Sequence, residues 1–372
     1  MEHNPESPRS FAASYVSNSR FHRSFTIEPT PTHGPLNVTY ADYGREPDEN
    51  GTTPTLLFMP GMFSSRYIGI CLHAIAEKWG VRVLVVDRPG MGNSTDVPLA
   101  QRVSTWIETV PRLLAHLGIQ HVSLASHSAG TMYLFNTLYY CRDILYPEKP
   151  VVSILAPWVD PAKSGNTSMK MAQYIPAPAF KLWNQIPRLF LAKDGSAIAT
   201  SGEIIANISA SFSSKSGDNQ AKNRRHITQN YGLDLDQQKE INSSMMQFMF
   251  KENTVGYNSE ALQCLRKEPN IWGKCEDYEV FVRELVERER GRDGAPLRVQ
   301  AFFAESDSLI GKKGQAYVEK CWHQIGDGES VGSVEFDSRV VSGSDHDSLV
   351  PCAEVWENIF KTMKREEHDG LK

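Results

Sequence analysis

Between residues 55 and 156 the chain switches repeatedly between two hydrophobic patterns, and this rhythm restricts its fold more than any other feature. Residues 55–59, 81–86, 121–125 and 151–156 are short apolar runs, rich in Val, Leu and Ile. Residues 66–78, 103–117 and 129–140 lie between them and carry apolar residues at helical spacing. A strand that is apolar along its whole length must be covered on both faces, so the pattern predicts a doubly wound, mostly parallel α/β sheet. Such sheets place their sites at the C-terminal ends of the strands.

The flanks follow different rules. Residues 25–27 and 36–43 read as strands, separated by the turn-forming Pro29-Thr30-Pro31-Thr32-His33-Gly34-Pro35, and predict an antiparallel hairpin. Residues 1–22 are rich in Ser, Asn, Pro and Arg, the composition of a disordered or loosely packed segment. From 158 to 295 the strand rhythm stops. Helical patterns at 180–191, 203–212, 236–250, 258–265 and 278–289 are separated by polar stretches, notably 213–225. Strand, helix, strand and helix then resume at 297–304, 313–322, 334–341 and 352–363. The expected organisation is a sheet core from 23–157 and 296–372, with 158–295 inserted as a helical cap over the strand ends.

The 372 residues carry a net charge of −5, which provides no electrostatic footprint for nucleic acid. No run of 18 apolar residues is present to span a bilayer. The six cysteines are scattered without a C-x-x-C pair, which argues for reduced thiols rather than a zinc site or a disulfide framework. The first 20 residues lack an apolar signal core, and the expected location is cytoplasmic. No cofactor or metal is expected, and monomer and homodimer remain equally open.

Four strings fall at predicted strand ends. Ser126-His127-Ser128-Ala129-Gly130 joins a strand to a helix and is a variant of the G-x-S-x-G elbow, with Ser for the first Gly. An abrupt strand-to-helix corner strains and exposes its central residue, and the helix N-terminus offers N–H groups to an anion beside Ser128. A pattern this loose also arises by chance, and a Ser at a helix N-cap would look the same. Met59-Pro60-Gly61-Met62 follows the 55–59 strand, where a backbone N–H after the Gly can face the nucleophile. Asp307 follows the 297–304 strand and His346 follows the last strand. Singly, each is an ordinary turn or loop residue. Together they complete the chain order Ser, Asp, His, each just past a separate strand.

With these strings, and with Asp87-Arg88-Pro89-Gly90-Met91-Gly92-Asn93-Ser94 after the 81–86 strand, the chain resembles the α/β-hydrolase superfamily over about residues 24–367. It looks most like the capped esterase, lipase and epoxide-hydrolase-like branch. Ala156-Pro157-Trp158-Val159-Asp160 and Ile271-Trp272-Gly273 resemble strings at the cap entry and exit of fungal-type members. The resemblance implies Ser128 as nucleophile, His346 as general base and Asp307 as the acid that orients it. Met62 and Ala129 would supply the oxyanion N–H groups. Asp160 is an alternative acid, because some members carry theirs after the strand equivalent to 151–156. The 87–94 string would shape the floor of the site.

Members that open epoxides or remove halides use a carboxylate where this chain has Ser128, so the resemblance points to acyl chemistry on a small-molecule acyl substrate. The expected reaction is hydrolysis of a small-to-medium apolar ester, thioester, lactone or amide. A lyase or C–C bond hydrolase on the same triad, or a non-catalytic ligand-binding protein, would carry the same fold. Met245, Met246, Phe248, Met249 and Phe250 are flexible or bulky apolar residues, suited either to a pocket wall or to packing the cap onto the core.

Overall fold

The structure, a computed structural model, describes residues 6–48, 51–185, 217–323 and 333–364. Its centre is an eight-stranded sheet in the order β1-β2-β4-β3-β5-β6-β7-β8. The strands are β1 (Arg23–Ile27), β2 (Leu36–Gly44), β3 (Thr55–Met59), β4 (Arg82–Val86), β5 (Ser123–His127), β6 (Val151–Leu155), β7 (Leu297–Ala304) and β8 (Val334–Val341). β1 and β2 pair antiparallel, as do β2 and β4, and every later pairing is parallel.

The helices are α1 (Pro8–Val16), α2 (His73–Trp79), α3 (Arg102–His116), α4 (Gly130–Tyr140), α5 (Pro161–Ser164), α6 (Thr167–Ala172), α7 (Gly217–Tyr231), α8 (Leu235–Lys251), α9 (Gly256–Cys264), α10 (Tyr278–Arg290), α11 (Gly311–His323) and α12 (Ala353–Lys364). None is long and apolar enough to cross a membrane.

The period-two geometry of a strand sends successive side chains to opposite faces. Leu57 and Met59 of β3 therefore join a core with Trp106, Val110, Leu134 and Phe135 of α3 and α4. Leu56 and Phe58 face the opposite way, toward Ile75 and Ala76 of α2 and Trp356 and Phe360 of α12. Each face is closed by helices, which is why β3, β4, β5 and β6 tolerate no exposed position. The edge strand β8 alternates exposed and half-buried residues instead, with Arg339, Glu335 and Asp337 among its side chains. Charges of this kind discourage a neighbouring chain from pairing with an open edge.

Three expectations need correction. Residues 8–21 are neither disordered nor loosely packed. Ser7 caps α1 through the Ser10 N–H, and Ala12, Val16 and Phe21 are buried in the core that contains α2. Arg20 forms a buried ion pair with Asp42 of β2 at 3.1 Å. Composition misled here because a few well-placed apolar residues suffice to dock a polar segment. Residues 217–225, read as part of a polar separator, belong to α7, whose helix forms despite a largely polar sequence. The pattern at 66–78 is divided between a 3-10 segment, Arg66–Leu72, and α2. Of the helix expected at 180–191, residues 180–185 form part of a 3-10 segment, Ala177–Gln185, and 186–191, like the helix expected at 203–212, lie outside the described residues.

Candidate active site

Four segments converge at the C-terminal ends of β3, β5, β7 and β8. At the end of β5 the chain turns directly into α4, and Ser128 occupies the corner with φ = +49°. This left-handed conformation is strained for a residue with a Cβ. It is held by the Ser128 N–H donating to Leu155 O at 2.9 Å and by Ser128 O accepting from the Trp158 N–H at 3.2 Å. Gly130 is irreplaceable on space alone, since a Cβ there would stand 2.0 Å from Met59 O. Ser126 fills the first small position of the elbow and is completely buried.

The Ser128 Oγ lies 2.8 Å from His346 Nε2, and His346 Nδ1 lies 2.7 Å from Asp307 Oδ2. All three side chains are nearly buried, at 5% or less for Ser128, His346 and the Asp307 carboxyl. The other Asp307 oxygen accepts from the Leu309 and Ile310 N–H groups, each at 2.9 Å. Burial raises the Asp307 pKa, but the His346 ring and these N–H donors outweigh it and hold the carboxyl below its usual range. Burial lowers the His346 pKa, yet Asp307, with smaller contributions from Asp347 and Asp345, leaves it above the ordinary imidazole value. Asp160 takes no part. It caps α5 by accepting from the Ala162 N–H at 2.8 Å and pairs with Arg266 at 2.9 Å.

The loop after β3 passes directly over the elbow. A Cβ on Gly61 would meet His127 Nδ1 at 2.8 Å and Ser128 Cβ at 3.2 Å, so only glycine lets the loop approach this closely. Arg88 holds it from the other side, donating Nη1–H to Pro60 O at 2.6 Å and Nη2–H to Gly61 O at 2.7 Å. The peptide after Gly61 is trans, so its N–H points opposite to its C=O. With the Gly61 carbonyl turned to Arg88, the Met62 N–H is turned away from it. Gly61 and Met62 both line the cavity at Ser128. Ala129 is the N-cap of α4, so its N–H belongs to the group that a helix leaves without an intrahelical partner.

Arg88 is itself anchored. Its guanidinium grips Glu260 of α9 through Nε and, at 3.0 Å, through Nη2. Arg102 shares the Glu260 carboxylate at 3.4 Å, and Tyr133 of α4 donates to Gln263 of α9 at 2.7 Å. The expected shaping role of the 87–94 string thus has a defined form in Arg88, while nothing in the sequence marks Glu260, 172 residues away, as its partner. His127 was also unmarked. It donates Nε2–H to the His346 carbonyl at 2.9 Å, and burial, aided by the charge of His346, depresses its pKa to about 3.

Ser128 lines a predominantly apolar cavity. Most of the apolar side chains in its wall come from the chain between β6 and β7, including Trp158, Met169, Ala172, Trp183 and Leu265. An apolar wall with a few convergent polar groups suits a small organic molecule. None of Met245, Met246, Phe248, Met249 or Phe250 lines it. Met245 and Met249 are buried with α1 and the 66–72 segment instead. His127, His346 and Asp347 bring three potential metal-ligand atoms within 4.8 Å of one another. Both ring nitrogens of His346 are already committed to Asp307 and Ser128, so a cation here would have to break the triad contact.

Residues 56–224 match the model of the alpha/beta hydrolase family. The sheet order and the elbow agree with that match. The chain has the α/β-hydrolase fold. No protein of curated function matches it in sequence. Among solved structures it is similar to a carboxylesterase of the thaumarchaeon Nitrososphaera gargenis, at 13% identity and a TM-score of 0.51, over 90% of this chain and 96% of that one. The haloalkane dehalogenase DatA of Agrobacterium tumefaciens C58 gives 12% identity and a TM-score of 0.54, over 93% and 99%. A bromoperoxidase of Bacillus anthracis gives 15% and 0.53, over 92% and 100%. At such identities the likeness is one of fold.

Proposed function

We propose that this α/β-hydrolase is a serine hydrolase that cleaves a small-to-medium carboxylic ester, or a thioester, lactone or amide, through an acyl-Ser128 intermediate. The observation that carries the reading is the continuous chain from Ser128 Oγ to His346 to Asp307, at 2.8 Å and 2.7 Å, opening on an apolar cavity. A neutral His346 takes the Ser128 proton as Oγ attacks the carbonyl carbon. Asp307 fixes the tautomer with Nδ1 protonated and stabilises the imidazolium that forms. The N–H groups of Met62 and Ala129 receive the oxyanion of the tetrahedral intermediate, a donor being worth about 2.7–4 kcal/mol in such sites. His346 then returns its proton to the leaving group, and water activated by the same ring releases the acid.

Serine rather than a carboxylate at position 128 separates this chemistry from dehalogenation, despite the similarity in fold to DatA. The segment between β6 and β7 acts as a cap in this reading, because it supplies most of the apolar side chains in the cavity wall at Ser128. A fluorophosphonate probe, followed by peptide mapping, tests the proposal. Covalent labelling of Ser128 with turnover of p-nitrophenyl acyl esters is expected, and a folded protein left unlabelled would overturn it.

A further inference from the structure

The cavity holds one carboxyl that the triad does not use. Asp347 lines the wall beside Ser128 and His346, amid the apolar side chains that dominate it. One of its oxygens lies within 4.8 Å of ring nitrogens of both His346 and His127. Its neighbour Asp345 accepts from the Ser348 N–H through Oδ1 at 3.0 Å and leaves only Oδ2 unpaired. Asp347 lacks even that contact. Among the described residues no side chain or backbone group hydrogen-bonds its carboxyl, and only its backbone carbonyl is engaged, by the Val350 N–H at 3.3 Å.

The surrounding charges compensate it only in part. His127 is held neutral by burial, and His346 already serves Asp307. The other ionisable neighbours, Asp307 and Asp345, carry the same sign. Burial, opposed by His346 and reinforced by these two carboxylates, pushes the Asp347 pKa up to about 6. Asp347 is half-buried, and a carboxyl partly withdrawn from water with no hydrogen-bond partner costs stability, which is recovered if a ligand brings a donor. In an otherwise greasy pocket, a single polar group of this kind orients what binds.

We infer that Asp347 is a substrate-recognition residue, and that the substrate carries a hydrogen-bond donor, a hydroxyl or an ammonium group, a few bonds from its scissile carbonyl. The inference rests on the acyl-Ser128 reading and narrows its substrate class from any apolar ester to a donor-bearing one. The donor sits on the acyl or on the alcohol side.

Matched ester pairs test this. On the acyl side, p-nitrophenyl 3-hydroxybutyrate is compared with p-nitrophenyl pentanoate. On the alcohol side, the 2-hydroxyethyl and 2-aminoethyl esters of butyric acid are compared with the propyl ester. The wild type is expected to favour at least one donor-bearing member by about tenfold or more in kcat/KM, as sites built around a buried polar group do. In Asp347→Leu that ratio should collapse to about one or invert, and in Asp347→Asn it should fall to an intermediate value, with the ammonium ester losing most. Because each ratio is taken within one preparation, partial misfolding does not affect it. Equal rates on all pairs in the wild type, or a preference that survives Asp347→Leu, would overturn the inference. Fluorophosphonate labelling of wild-type Ser128 separates the two failures: labelling without preference sinks only the role of Asp347, and no labelling sinks the hydrolase reading beneath it.

Discussion

Two buried polar constellations flank the Gly61 loop, and they are built on opposite principles. Ser128, His346 and Asp307 form an open-ended chain whose last hydroxyl faces a cavity. Arg88, Glu260, Arg102, Tyr133 and Gln263 form a closed network, with charges buried to 2% or less and donors spent on carboxylate, carbonyl or amide oxygens. The first leaves a nucleophile available to a substrate. The second has nothing to offer one, but it fixes the Gly61 peptide beside the first. The difference separates chemistry from positioning, and it predicts that the two clusters fail differently when broken.

The largest effect belongs to the open chain. Ser128→Ala should lower kcat on an acyl ester by about 10⁶, with little change in melting temperature, because the hydroxyl acts only in the reaction. Asp307→Asn should cost about 10⁴ by presenting the wrong His346 tautomer. A loss below tenfold in either would remove these residues from the mechanism.

Glu260→Gln probes the closed network. It leaves two buried guanidinium groups without their shared carboxylate, a loss of about 3–5 kcal/mol that thermal unfolding would register. In the folded fraction kcat should fall about tenfold as the Gly61 peptide loosens, part of the 10²–10³ that one oxyanion donor supplies. An unchanged kcat would reduce Arg88 and Glu260 to a purely structural clasp.

The pH profile offers a finer measure. With the His346 pKa above its ordinary 6.5, kcat/KM should fall on the acid side through a pKa higher than a free imidazole's. Asp307, Asp345 and Asp347 all face that ring, and neutral His127 packs 5.0 Å from it. Asp347→Asn removes one anion and so favours the neutral ring, which moves the acid limb to lower pH. A limb that stays in place would mean that Asp347 is uncharged in that range. Asp160→Ala should matter least. It forfeits a helix cap worth about 1 kcal/mol and leaves kcat within about twofold, and a larger loss would reopen Asp160 as the acid.

Much of the open chain was legible in advance. Apolar runs at 55–59, 81–86 and 151–156 carry period and length together, so they predict a buried parallel sheet without reference to distant residues. The elbow is a local motif whose strain is visible in its small neighbours, and Asp307 and His346 stand where strands end. The closed network was not legible. Glu260 sits on an amphipathic helix with no motif around it, and its partner Arg88 is 172 positions earlier. Residues 8–21 were misjudged for a related reason, since the burial of Ala12, Val16 and Phe21 depends on the surface offered by α2 and the sheet.

The sequence by itself determined the layered sheet, the site at its strand ends and the choice of serine over a carboxylate at position 128. These follow from short-range patterns, because strand period, turn sterics and side-chain identity are set within a few residues. Tertiary structure alone set Asp307 rather than Asp160 against His346, turned the Gly61 carbonyl toward Arg88, and left Asp347 lining the cavity without a hydrogen-bond partner. Each of those outcomes depends on how far a charged group lies from an oppositely charged or hydrogen-bonding one, and that distance is fixed only when separate segments of the chain are packed together.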